Sequence, residues 1–190
     1  KNPESIRVVR RAYYALVTYI DYKVGQLLDA LQENGLEDNT IIIFTSDHGD
    51  MLCERGMVQK RTFYEWSARV PMIIRFPDGW QAGIVRPEPV SLIDLLPTLL
   101  DIANVSDDER LPVDGRSLMG LLDGQDEEGW VAISESHADG MVEVPCFMIR
   151  KDNFKYIYIH GHDAQLFDLN ADPAEWHNLA SNPAYSQVEA

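Results

Sequence analysis

Apolar residues recur at helical spacing from the start of the chain. Val9, Tyr13, Leu16, Val17, Ile20, Val24, Leu27, Leu28 and Leu31 fall every three or four positions along one stripe. Ahead of them, Asn2, Pro3 and Glu4 supply an N-cap, a first-turn proline with its φ already helical, and a carboxylate favoured by the helix dipole. Asn34-Gly35 closes the segment with residues that tolerate a left-handed backbone. The period then changes. Residues 40–46, Thr-Ile-Ile-Ile-Phe-Thr-Ser, form an unbroken, β-branched apolar run, the pattern of a strand covered on both faces. A helix feeding such a strand predicts an α/β layer built on a parallel sheet.

Residues 47–71 are irregular, with Gly49, Gly56 and mixed charge, and are too long for a plain connector; they read as a functional loop. Residues 72–76 form a short strand that stops at the turn Pro77-Asp78-Gly79. Helical spacing returns over 91–103, with Pro97 near the first turn, and over the shorter piece 117–122, which Asp123-Gly124 ends. Beyond the acidic stretch Asp126-Glu127-Glu128 the grammar becomes that of strands, at 131–135, 147–150, 154–159 and 165–169. Lys151-Asp152-Asn153 joins the middle two as a hairpin. Tyr156 and Tyr158 alternate with Ile157 and Ile159, so the two faces of that sheet are used differently. Consecutive hairpins predict an antiparallel subdomain, with a domain boundary near Gly124 separating 1–124 from 125–190.

The composition, 190 residues with 45% hydrophobic and 25% charged, is that of an ordinary globular protein with one sizeable core and room for a smaller unit. A formal net charge of -15 argues against nucleic acid and anionic membrane surfaces as partners. No apolar run is long enough to span a bilayer, and no signal peptide is visible. Cys53 and Cys146 form neither a metal-ligand spacing nor a disulfide framework, which points to a reducing, cytoplasmic compartment with the periplasm as the alternative. The chain begins at Lys1 and enters a helix almost at once, so it reads as a piece of a longer protein.

Chemistry concentrates where the run 40–46 ends. Asp47 and His48 stand at the carboxyl end of that strand, the place where open α/β sheets hold their ligands, and Gly49 lets the backbone turn away. A carboxylate suits a hard divalent cation, and an imidazole beside it suits Mn²⁺, Zn²⁺ or Fe²⁺ better than Ca²⁺. The competing reading is a strand-end turn with no ligand. Lys60 is the second candidate: an ammonium leading from that corner can bind an anionic ester and stabilise charge on its departing oxygen. Its alternative is a solvated lysine beside Arg61. Glu65 and Arg69, at helical spacing, read as a surface ion pair of little energetic worth. His160-Gly161-His162 reads as a loop, and Tyr156, Tyr158 and Phe167 as core rather than as a cage for a quaternary ammonium.

Taken in order, these segments carry a specific resemblance. Phe44-Thr45-Ser46-Asp47-His48-Gly49-Asp50-Met51-Leu52, Glu54-Arg55-Gly56, Lys60, Phe63-Tyr64-Glu65 and Arg69-Val70-Pro71 resemble the second half of a sulfatase, a family of the alkaline-phosphatase superfamily. Tyr13-Tyr14-Ala15 and Asp21-Tyr22-Lys23-Val24-Gly25 resemble the preceding helix of that family. Asp94 to Asp101 and Asp114-Gly115-Arg116-Ser117-Leu118 resemble its following segments. Ile133-Ser134-Glu135, Phe147-Met148-Ile149-Arg150, Lys155-Tyr156, Tyr158 to His162 and Gln165 to Leu169 are similar to the C-terminal part of the choline sulfatase group, while phosphonate monoester hydrolases share the Asp-His pair.

The resemblance implies part of an alkaline-phosphatase-like sheet-and-helix core, α/β in class, followed by a small antiparallel α+β subdomain. It implies Asp47 and His48 as ligands of a divalent metal ion, Ca²⁺ or Mn²⁺; many sulfatases carry Asn at the second position. It implies Lys60 as the lysine that contacts the sulfate of a small sulfate ester. The nucleophile it implies is a formylglycine made from a Cys/Ser-x-Pro-x-Arg motif in the preceding half. Cys53, followed by Glu-Arg-Gly, and Cys146, followed by Phe-Met-Ile-Arg, do not match that motif. The chain is therefore expected to hold about half an active site and to be inactive alone. A phosphonate or phosphodiester hydrolase and a non-catalytic binding module are the rival expectations. An isolated strand 40–46 would lack neighbours, so self-association to a homo-oligomer is expected, and a monodisperse monomer in light scattering would contradict it.

Overall fold

The computed structural model describes residues 2–125, 128–137 and 144–189, and Asp126 and Glu127 of the acidic stretch lie outside them. Two units are present, Lys1–Gly83 and Ile84–Ala190.

The first unit opens with helix α1, Pro3–Glu33. Its N-cap works as expected: the Asn2 side-chain oxygen accepts the Glu4 N–H at 3.0 Å. At the other end the Asn34 N–H donates to the Ala30 carbonyl, and Gly35 takes φ 66°. None of the residues of α1 is buried, so the apolar stripe, including Leu16, Val17, Ile20 and Leu27, faces outward.

Strand β1, Ile42–Thr45, follows, and its partner departs from expectation. It pairs antiparallel with β4, Met72–Arg75, placing Phe44 opposite Ile73 and Thr45 opposite Met72. A continuous apolar run reports that both faces of a strand are apolar, but not the direction of its neighbour. Nor is β1 buried within this unit, because Phe44 keeps 37% exposure.

The intervening loop has its own structure. Strands β2, Met51–Leu52, and β3, Val58–Gln59, form a short antiparallel hairpin, and one turn of helix, α2, spans Glu65–Ala68. Met51 is buried and anchors the hairpin. Arg10 of α1 reaches it, donating to the Leu52 carbonyl at 3.1 Å and to Glu54 Oε1 at 2.8 Å.

In the second unit, α3 spans Leu95–Ile102 and α4 Met119–Leu122. Ser91 and Asp94 form a capping box ahead of α3, and Asp94 does more than cap. Its Oδ1 accepts the Arg116 N–H at 2.8 Å. The Thr98 hydroxyl donates to the Asp94 carbonyl at 2.6 Å and accepts the Leu118 N–H at 2.9 Å. Gly115 closes the joint, since a Cβ there would fall 2.1 Å from the Ile93 carbonyl oxygen. The segments 91–98 and 114–118 thus share one hydrogen-bonded knot.

The expected antiparallel subdomain is a four-stranded meander: β5, Val131–Ser136; β6, Cys146–Lys151; β7, Phe154–Ile159; and β8, Gln165–Asp168, in that order. Asp152 takes φ 50° in the hairpin turn between β6 and β7. Met148, Ile157, Leu166 and Phe167 are buried, so Phe167 is core as expected. Tyr158 is exposed instead, because it shares the strand face opposite Ile157. Chain beyond β8 is fixed to the sheet by Asn178, whose Oδ1 accepts the Leu166 N–H at 2.9 Å and whose Nδ2 donates to the Ala164 carbonyl at 3.0 Å. Short helix α5, Ser186–Glu189, ends the described chain. Among the described residues no helix is long and apolar enough to cross a membrane.

Candidate active site

The three sequence-predicted site residues all lie in the first unit, and the structure brings them together. Asp47 and His48 follow β1 directly, where the extended run gives way to Ser46 and the chain turns. The Ser46 hydroxyl donates to the His48 carbonyl at 3.0 Å, and the His48 N–H donates to Asp47 Oδ1 at 3.0 Å. Lys60 arrives from the far end of the β2–β3 hairpin, and its Nζ lies 2.7 Å from His48 Nε2.

The hydrogen-bond roles of the His48 ring follow from its partners. Nδ1 lies 2.9 Å from the Gly49 carbonyl oxygen, which can only accept, so Nδ1–H donates. An ammonium can only donate, so Nε2 accepts from Lys60. Asp47 Oδ2 stands 3.3 Å from that same Nε2. A backbone carbonyl holding one ring nitrogen while the other faces a carboxylate is the arrangement that orients a metal-ligating histidine.

Asp47 is the open side of the corner, with its side chain 79% exposed. Desolvation pushes its carboxyl up, but the hydrogen bond from the His48 N–H and the nearby Lys60 ammonium work against it, and the carboxyl lies below its ordinary value of 3.8. An anionic carboxylate at neutral pH follows, as a cation ligand requires.

One hard oxygen and one imidazole nitrogen fit a divalent cation, but only as part of its ligand set. No group of three or more His, Cys, Asp or Glu side chains able to hold a metal ion occurs among the described residues. Nε2 has a single lone pair, so accepting from Lys60 and ligating a metal exclude each other.

Gly49 is needed here for space. A Cβ on it would sit 2.2 Å from the Trp66 carbonyl oxygen, while its N–H donates to the Ser67 carbonyl at 2.8 Å. The turn after His48 is therefore pressed against α2. Gly49→Ala is expected to destabilise the unit by about 1–3 kcal/mol through overpacking against backbone that cannot give way. Urea unfolding monitored by tryptophan fluorescence checks this, and an unchanged midpoint would contradict it.

Ser67, which no pattern in the sequence distinguishes, is also part of this corner: its side chain is buried, and its hydroxyl donates to the Lys60 carbonyl at 2.6 Å. Glu65 and Arg69 form the expected i,i+4 pair at 3.8 Å. Arg55 lies over the Tyr64 ring at 4.3 Å. His160 and His162 occupy the turn after β7 in the second unit, where Gly161 takes φ 76° and the Tyr158 hydroxyl lies 3.3 Å from His160 Nδ1. Cys53 and Cys146 are unpaired, and partial burial pushes the Cys146 thiol up.

Comparison with known proteins agrees with the order of these elements. The family described as Sulfatase matches residues 2–105, a stretch that includes Asp47, His48, Lys60 and Ser67. The chain is 44% identical over 181 residues to a choline-sulfatase of Rhizobium meliloti (strain 1021), covering 95% of this chain and 35% of that protein. It is 35% identical over 189 residues to an arylsulfatase of Clostridium perfringens, covering 98% of this chain and 39% of the relative. The crystal structure of a phosphonate monoester hydrolase of Agrobacterium radiobacter superposes with a TM-score of 0.84 at 32% identity, over 98% of this chain and 40% of that one. The chain thus spans well under half the length of the proteins it matches. Its fold is the α/β class of those alkaline-phosphatase-like hydrolases, and the chain belongs to the sulfatase family.

Proposed function

We propose that this chain is the C-terminal portion of a metal-dependent sulfuric ester hydrolase that acts on a small sulfate ester of the choline sulfate kind. The observation that carries the reading is the 2.7 Å approach of Lys60 Nζ to His48 Nε2, with the Asp47 carboxylate beside the same nitrogen. Two neighbouring side chains at the end of β1 and a lysine from the β2–β3 hairpin converge on one point with the charges that an anionic ester and its cation need. The 44% identity to a choline-sulfatase supports the substrate class.

In this reading Asp47 and His48 are two ligands of a divalent metal ion, Ca²⁺ or Mn²⁺. The bound ion supplies positive charge to the sulfuryl oxygens. Lys60 would supply a second positive charge and proton donors beside that site. It binds the sulfate and stabilises the ester oxygen as it departs. The formylglycine nucleophile and the remaining ligands belong to the preceding part of the full-length protein, so residues 1–124 complete a catalytic domain and 125–190 form its antiparallel C-terminal subdomain. The isolated chain is inactive, and the exposed stripe of α1 drives its self-association.

Replacing Asp47 by Ala in the full-length protein tests the metal assignment. Elemental analysis is expected to show a fall in metal content of ten-fold or more, with retained secondary structure by circular dichroism. Full occupancy in the variant would remove Asp47 from the ligand set. The likeness to a phosphonate monoester hydrolase, together with the Asp-His pair, favours a second reading in which the ester is a phosphonate. Parallel assays of the full-length protein on choline sulfate, an aryl sulfate and a phenylphosphonate ester separate the two by kcat/KM.

A further inference from the structure

We propose that Ser67 is a positioning residue for Lys60, acting through the single turn of α2. This inference rests on the reading of Lys60 as the residue that meets the anionic ester.

Lys60 is poorly held by its own surroundings. It follows the exposed strand β3 directly, and Gln59 before it takes φ 72°, a left-handed backbone that a glutamine adopts at some cost. Cys53 and Arg55, earlier in the same hairpin, also take positive φ, at 77° and 47°. A hairpin of two-residue strands with three such positions does not fix where its last residue points.

Ser67 provides what the hairpin lacks. It is 2% exposed, and its hydroxyl donates to the Lys60 carbonyl at 2.6 Å. Its own carbonyl accepts the Gly49 N–H at 2.8 Å, one residue after His48. Both arms of the site therefore end on the same residue: the main chain of Ser67 holds the His48-Gly49 turn, and its side chain holds the backbone of Lys60. The Gly49 N–H bond and the close approach of the Trp66 carbonyl, which leaves no room for a Cβ at Gly49, set the first arm directly against α2. The second arm depends on one hydroxyl. With it, the Lys60 backbone has a fixed distance from His48, and the ammonium reaches Nε2. Without it, the Lys60 backbone loses its hydrogen bond to α2, and the ammonium tip must hold itself on His48 from a strained hairpin.

The experiment is a double-mutant cycle on the full-length protein with Ser67→Ala, Lys60→Ala and both, measuring kcat and KM on a sulfate ester together with metal content. Serine-to-alanine removes the hydroxyl and leaves the Ser67 carbonyl in place, so the His48 arm and the metal content are expected to stay unchanged. In the wild-type background Ser67→Ala is expected to lower kcat about ten-fold, since small misplacements of a reacting group cost rates of this order. In the Lys60→Ala background it is expected to change kcat less than two-fold, because there is no ammonium left to place. Equal losses in both backgrounds, or full kcat in Ser67→Ala while Lys60→Ala is slow, would overturn the assignment of Ser67 alone. Wild-type kcat in Lys60→Ala would overturn the reading of Lys60, and this inference with it.

Discussion

Lys60→Ala in the full-length protein is expected to lower kcat for sulfate-ester hydrolysis by about 10²–10³-fold, the range measured when a single donor to a developing oxyanion is removed. Lys60 is exposed, and its side chain is held at the tip by His48 Nε2 rather than by packing. Truncation therefore removes charge and proton donors without opening a cavity, and the thermal midpoint should stay within a degree or two. The loss should also depend on the ester. If Lys60 stabilises the departing oxygen, an alkyl sulfate, with its basic leaving group, loses more than an aryl sulfate whose phenolate departs unaided. Metal content is the internal control: it falls in Asp47→Ala and is retained in Lys60→Ala. Undiminished kcat on both ester types would show that the ammonium does not meet the reacting group.

The legible part of this corner was the part whose chemistry sits in unusual residue types. An apolar run that stops at Asp47-His48-Gly49 declares itself, and Lys60 becomes visible once that corner is in place. Ser67 does not. A serine in a single helical turn is unremarkable in sequence, and its importance arises from two hydrogen bonds to residues 7 and 18 positions away, Lys60 and Gly49. Gly49 reads as a turn residue in the sequence; its decisive property is the proximity of the Trp66 carbonyl, which no local pattern encodes. The same limit explains β1. Residues 40–46 announce two apolar faces, yet the antiparallel partner is set by how 47–71 returns, a loop whose hairpin and helical turn are each shorter than the window that periodicity needs. The meander was easier, because four alternating runs with a turn signal between two of them constrain one another. Within it, strand parity also places Lys155 on the same face of β7 as Ile157, the face that is buried.

That lysine leads to a large expected stability effect in the second unit. Lys155 is 1% exposed and Glu175 0%, with Nζ 2.8 Å from Oε1. Glu175 comes from the chain that follows β8, and its backbone holds φ 54°, so the carboxylate is delivered to the sheet by a turn that a glutamate does not favour. Two charges taken out of water at this depth are tolerable only together. Replacing Glu175 by Gln leaves the ammonium buried with no compensating charge from that position, at an expected loss of about 3–5 kcal/mol in urea unfolding. The reciprocal Lys155→Met, which removes the ammonium that faces the buried carboxylate, should cost a similar amount. The pair changed together, Lys155→Met with Glu175→Leu, puts apolar groups of similar volume where the ions were, and should recover most of either single loss. With the single Glu175→Leu variant added, the cycle closes and distinguishes an ion pair from plain packing. If the two side chains contributed only by filling space, the double variant would lose the sum of the single losses, and a Glu175→Gln variant within 1 kcal/mol of wild type would show that the buried charge is compensated elsewhere.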